Sequence, residues 1–146
     1  MKVVAFSPPA LVDFDAVSEP YWASLRDGTL SLQRCAHGHG FRMPPTLYCS
    51  ECHSTESEWV RLSGRGRLYS YTIIPLKSKE GDGAVYVAAL VCPEEAPDTK
   101  LFANIVDCTD DQLAIGLELE LVRPEPGSEV ALFRPIFSTG REIANA

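Results

Sequence analysis

Cys49-Ser50-Glu51-Cys52 sets two thiols at the knuckle spacing that lets both sulfurs converge on one metal ion. A ribbon site built on such a knuckle needs a second ligand pair about ten residues upstream. There the chain offers Cys35-Ala36-His37-Gly38-His39-Gly40. Position 38, where a second Cys-x2-Cys would carry its sulfur, holds glycine, which has no ligand atom. His39 makes a Cys-x3-His pair with Cys35, and Gly40 permits a tight turn beneath it. His37 stands two residues from Cys35, a poor bite for tetrahedral geometry. The expected ligands are therefore Cys35, His39, Cys49 and Cys52. Four nitrogen and sulfur ligands leave no open position, so the expectation is one structural zinc per chain and no catalytic metal. The other reading of Gly38 is a ribbon that has lost its metal.

The remaining cysteines, Cys92 and Cys108, sit in apolar runs and read as small core or strand-end residues. Five cysteines is an odd number, which argues against a disulfide framework. Cys49 to His53 also spells Cys-x-x-Cys-His, the haem-attachment pattern. That chemistry needs export, and the opening MKVVAFSPPALVDFD, broken by Pro8 and Pro9, does not read as a secretory signal. It also leaves Cys35 unexplained. A cytoplasmic location, where thiols stay reduced, is expected. No apolar run approaches the roughly 20 residues of a membrane helix, so no membrane partner is expected.

With 45% hydrophobic and 23% charged residues over 146 positions, the chain can bury a core and is not a disordered tract. Its net charge of −7 is uneven: −2 over residues 1–20, +2 over 21–67 and −7 over 68–146. An acidic second half repels phosphate backbones, and a nucleic-acid binder would show a basic stripe instead. No nucleic-acid partner is expected. A stand-alone OB-fold binder of single strands remains the competing functional class.

The N-terminal stretch reads as irregular through Pro8-Pro9. Ser18 is placed to cap a short helix, about Glu19 to Arg26, with Pro20 in its first turn and Gly28 stopping it. Tyr21, Trp22 and Leu25 share one face of that helix. They pack either on the protein's own body or on a partner, and two large aromatics near a terminus hint at a partner. Strands are expected at 29–34 and 59–62, then a turn at Ser63-Gly64-Arg65-Gly66. Further strands follow at 68–75, 84–92, 100–106, 117–121 and 130–137, with a turn or short helix at 110–116. The predicted class is mainly β: an N-terminal segment with its helix (1–28), a zinc ribbon (29–62) and a five-stranded OB-type barrel (63–146). Five strands form too small a sheet to bury both faces unless the sheet closes.

One ordered set of segments runs from Tyr21-Trp22 and Leu25-Arg26-Asp27-Gly28 through Cys35, Pro44-Pro45 and Cys49-Ser-Glu-Cys52. It ends at Ser63-Gly-Arg-Gly-Arg67 with Tyr69-Ser-Tyr-Thr72. This set resembles the acyl-CoA-associated family that joins a rubredoxin-like zinc ribbon to a C-terminal OB-fold, formerly a domain of unknown function. The likeness runs from about position 20 to the end; Gly38 departs from it, where the family carries the second cysteine. The resemblance implies a non-catalytic accessory subunit. Its partners would be thiolase-fold enzymes that act on acyl-CoA: lipid-transfer-type thiolases, acyltransferases or aldolases. The alternative partner is a MaoC-type enoyl-CoA hydratase. It also implies that ribbon and barrel help shape the partner's coenzyme A or acyl channel. Consistent with it, no nucleophile elbow, phosphate loop or dinucleotide fingerprint is present in the sequence, and no catalytic residue is assigned. Arg61, Arg65 and Arg67, at the ribbon-to-barrel junction, are candidates for coenzyme A phosphates, or else ordinary exposed arginines.

Overall fold

The computed structural model describes residues 1–5, 15–77, 83–126 and 130–137; Pro8 and Pro9 lie outside them. Helix α1 (Glu19–Arg26) starts as expected at Ser18, with Pro20 in the first turn and Gly28 beyond its end at φ +78°. Ser18 does not cap with its hydroxyl, however. The Asp15 carboxylate instead accepts the Ser18 backbone N–H at 2.7 Å.

Three strands make the ribbon sheet. Strand β1 (Leu30–Cys35) lies between β2 (Phe41–Arg42) and β3 (Ser57–Leu62), antiparallel to both. The hairpin from β1 to β2 turns through Gly38 and Gly40, both at positive φ, and the Cys35 N–H bonds to the Gly40 carbonyl at 3.2 Å. Gln33 faces Arg42 on one side and Trp59 on the other.

The second sheet closes on itself. Its strands are β4 (Arg65–Pro75), β5 (Val85–Pro93), β6 (Leu101–Ile105), β7 (Glu118–Val122) and β8 (Ala131–Pro135). Around the barrel they run β4-β5-β6-β8-β7, with β7 returning to β4. All neighbours are antiparallel except β6 and β8, which pair in parallel from Ala103↔Ala131 to Ile105↔Phe133. This is the five-stranded OB barrel. Strict alternation along β5 points Val85, Val87, Ala89 and Val91 inward. Between β6 and β7, where a turn or short helix is expected, the chain makes a single 3-10 turn, Asp110–Gln112. Cys108 is buried, whereas Cys92 is half-buried on the outer face of β5.

The turn expected at 63–66 is shorter than that. It ends at Gly64, φ +83°, and Arg65 already belongs to β4. Gly66 is a strand residue whose role is close approach: a Cβ there would lie 2.6 Å from the Cys92 carbonyl oxygen and 2.9 Å from Val91 Cγ1. Backbone oxygen cannot step aside cheaply, so Gly66→Ala should cost about 1–3 kcal/mol in denaturant unfolding. An unchanged midpoint would show that β4 and β5 can part without loss.

Helix, ribbon and barrel share one continuous core. Tyr21 and Leu25 join Leu30, Leu32 and Leu62 of the ribbon and Leu68, Val91, Leu119 and Phe133 of the barrel. An eight-residue helix cannot hold itself together in water, and this packing is what stabilises α1.

Candidate metal centre and arginine cleft

The turn after β1 and the knuckle before β3 bring Cys35, His39, Cys49 and Cys52 together. Their ligand atoms all lie within 4.8 Å of one another, so the four could hold a metal ion. Cys35 Sγ is 3.4 Å from His39 Nδ1 and 3.6 Å from Cys52 Sγ. Cys35 and Cys49 are buried, while His39 and Cys52 face outward.

Backbone amides surround the sulfurs. The N–H of His37 donates to Cys35 Sγ at 3.4 Å, and the N–H of Glu51 donates to Cys49 Sγ at 3.4 Å. Burial opposes ionisation of Cys35, but the amides of His37 and His39 and the neighbouring thiols outweigh it and lower its pKa. The Cys52 amide does most to lower Cys49 below the usual thiol range, against burial. Cys52 itself receives the Ser54 amide, yet burial and the two adjacent sulfurs leave its pKa raised. Two sulfurs are thus biased toward the thiolate that a metal requires, and the third pays for standing beside them.

Gly38 takes φ +86° with open space around it. A left-handed residue suits glycine and not cysteine, so the turn passes position 38 and presents the imidazole of the next residue. His37 turns away: its Nε2 lies 2.9 Å from the Glu56 carboxylate. His53 stands at φ +61° just past the knuckle, its N–H bonded to the Cys49 carbonyl at 2.9 Å.

The three junction arginines divide between two clefts. Arg65 and Arg67 line one of about 240 Å³, with Gly66, Cys92, Glu94 and Glu118. Arg61 and Arg65 line its neighbour, about 150 Å³, with Ser63, Gly64 and Glu120. Arg67 is tied down, donating to the Gly116 carbonyl at 3.1 Å and pairing with Glu118 at 3.2 Å. Among the described residues Arg61 and Arg65 form no ion pair. Arg65 lines both clefts.

The helix face differs from the expectation that it waits for a partner. Tyr21 and Leu25 are 4% and 2% exposed and belong to the chain's own core. Trp22 is half-buried, edge-on to Tyr21 with ring centroids 5.0 Å apart. Residue spacing alone did not reveal Gln33. This buried side chain binds the Thr46 backbone at both ends of its amide, Nε2 to the carbonyl and Oε1 from the N–H, each at 2.9 Å. A glutamine in an alternating strand carries no mark of such a clamp. Among the described residues no helix is long and apolar enough to cross a membrane.

The family model of the ChsH2 C-terminal OB-fold domain matches residues 59–123. A probable enoyl-CoA hydratase alpha subunit of Thermomonospora curvata is 30% identical over 117 residues, which is 79% of this chain and 36% of that relative. The chain therefore spans about a third of that relative's length. A DUF35 domain-containing scaffold protein of Methanothermobacter thermautotrophicus is 35% identical over 95 residues, 64% of this chain and 70% of the relative. Among solved structures, an Ltp2-ChsH2(DUF35) aldolase superposes with a TM-score of 0.71 at 28% identity, covering 84% of this chain and 96% of the matched one. That scaffold relative, 35% identical and matched over 70% of its own length, shows that the chain belongs to the DUF35 family.

Proposed function

We propose that this chain is a non-catalytic accessory subunit of a thiolase-fold enzyme that acts on acyl-CoA, held in shape by one structural zinc. The observation that carries this reading is the match, over 96% of the matched chain, to an Ltp2-ChsH2(DUF35) aldolase. Zinc fits the centre on chemistry. An ion with metal–sulfur distances of about 2.3 Å separates tetrahedral ligands by about 3.7 Å, close to the spacing found here. Three thiols and an imidazole are its preferred donors. The zinc ties the turn after β1 to the knuckle before β3; Cys35, His39, Cys49 and Cys52 hold it and leave no position for substrate.

Arg65, with Arg61 and Arg67 beside it, supplies positive charge at the ribbon-to-barrel junction for a coenzyme A phosphate. Trp22 and the adjoining ribbon face the enzyme. The setting is the cytosol, where free thiols persist. A second reading is favoured by the name of the Thermomonospora relative: the partner is then an enoyl-CoA hydratase.

The reading is tested by purifying the chain alone and together with a candidate thiolase-fold enzyme. The chain alone should show no thiolysis, aldol cleavage or hydration of acyl-CoA, and the complex should show turnover. Arg61→Glu with Arg65→Glu should raise KM for the thioester in the complex while leaving zinc content intact. Turnover by the isolated chain, or no association with any acyl-CoA enzyme, would overturn the accessory role.

A further inference from the structure

One charge on the ribbon, that of Arg42, has no ion-pair partner among the described residues. Arg42 on β2 donates from Nε to Gln33 Oε1 at 3.1 Å, and that same oxygen accepts the Thr46 N–H. The two terminal nitrogens, Nη1 and Nη2, are shut off from solvent and have no hydrogen-bond partner among the described residues. A guanidinium cannot shed its proton at any ordinary pH. Buried donors left unpaired are costly, and charged ones more so. Two acids of the ribbon are held elsewhere: Glu58 pairs with Arg34 and Glu56 with His37.

Directly after Thr46, whose N–H shares Gln33 Oε1 with Arg42, the loop that follows β2 presents Leu47 and Tyr48, 53% and 59% exposed. The loop's backbone is braced along its length. Gln33 clamps Thr46 from both sides, the Thr46 hydroxyl donates to the Tyr48 carbonyl at 2.9 Å, and the Cys49 N–H bonds to the Ser54 carbonyl at 3.0 Å. Large apolar side chains on a backbone already held in place lose little entropy when they dock, and such anchors carry much of an interface's energy.

We propose that Arg42, Leu47 and Tyr48 form the ribbon's docking site for the enzyme subunit. The enzyme segment they receive carries a carboxylate flanked by apolar side chains. This rests on the accessory-subunit reading. Charge sets the occupant: the guanidinium fork matches a carboxylate with two parallel hydrogen bonds. Because Nη1 and Nη2 make no bond among the described residues, turning them toward an incoming acid breaks none there. The bond from Nε to Gln33 serves as the pivot.

The test compares the affinity of the purified enzyme subunit for wild type, for Arg42→Met and for Leu47→Ala with Tyr48→Ala, alongside thermal unfolding of each free chain. Arg42→Met and the double variant should each weaken binding by about thirtyfold. Arg42→Met should leave the free chain's unfolding midpoint unchanged or raise it. The Thr46 N–H keeps its acceptor on Gln33, and an unpaired buried charge is gone. A purely structural Arg42 gives the reverse, a lower midpoint with affinity intact, and sinks the proposal. An enzyme that binds wild type and all variants equally overturns the docking site while the accessory role stands. An enzyme that does not bind wild type removes both. If coenzyme A alone raises the midpoint of wild type but not of Arg42→Met, Arg42 is a phosphate ligand and the proposal fails.

Discussion

Cys49→Ser should release the metal from the purified chain, taking zinc from about one equivalent to less than a tenth of one. Cys49 is buried, and its sulfur is one of four donors within 4.8 Å. A hydroxyl is a poor zinc ligand, and His37 is engaged with Glu56 and is no spare donor. His37→Ala should therefore keep the metal, and His39→Ala should weaken it. Loss of metal should also expose the amides of residues 35–56 to hydrogen exchange while the barrel strands stay protected. Little apolar surface holds the knuckle: Cys52, His53 and Glu51 are exposed. Metal analysis of protein prepared without chelators decides the matter. A preparation that holds no zinc when wild type, or that loses it with His37→Ala and not with His39→Ala, shows the ligand set to be wrong.

The cluster of Cys35, His39, Cys49 and Cys52 was legible because it is local. Four donors within eighteen residues need only two turns to converge, and the spacing and the glycines encode both turns. The barrel strands were legible for a similar reason: β5 announces its inward face at every second residue. Contacts that depend on distant partners left no such trace. Strand β2 is two residues long and exists only because β1 offers it an edge. Gly66 reads as a turn residue beside Gly64, yet its reason is the carbonyl of Cys92, which another strand supplies. Nothing at position 42 announces that an arginine's terminal nitrogens would be buried with no partner among the described residues. The face of α1 was recognised correctly as an apolar stripe, but a stripe does not say what it packs against. Tertiary structure assigned Tyr21 and Leu25 to the chain's own core.

That assignment makes the second large prediction, one that separates core from interface within a single helix. Leu25 is 2% exposed among Leu30, Leu32 and the barrel core, so Leu25→Ala should destabilise the chain by about 2–5 kcal/mol in denaturant unfolding. Trp22, one turn away and half-buried, should cost the free chain less on truncation but weaken association with the enzyme subunit by about tenfold or more. Tyr21 adds a pH signature. Burial pushes its phenol above the ordinary tyrosine value. The folded chain therefore holds a proton that the unfolded chain releases near pH ~10, and stability must fall as pH rises past that point. Tyr21→Phe should remove that part of the alkaline loss and leave the midpoint at neutral pH nearly unchanged. If Leu25→Ala instead unfolds at the wild-type midpoint and loses its partner, the helix is an interface element. The continuous core from α1 through the ribbon to the barrel would then not be what holds it in place.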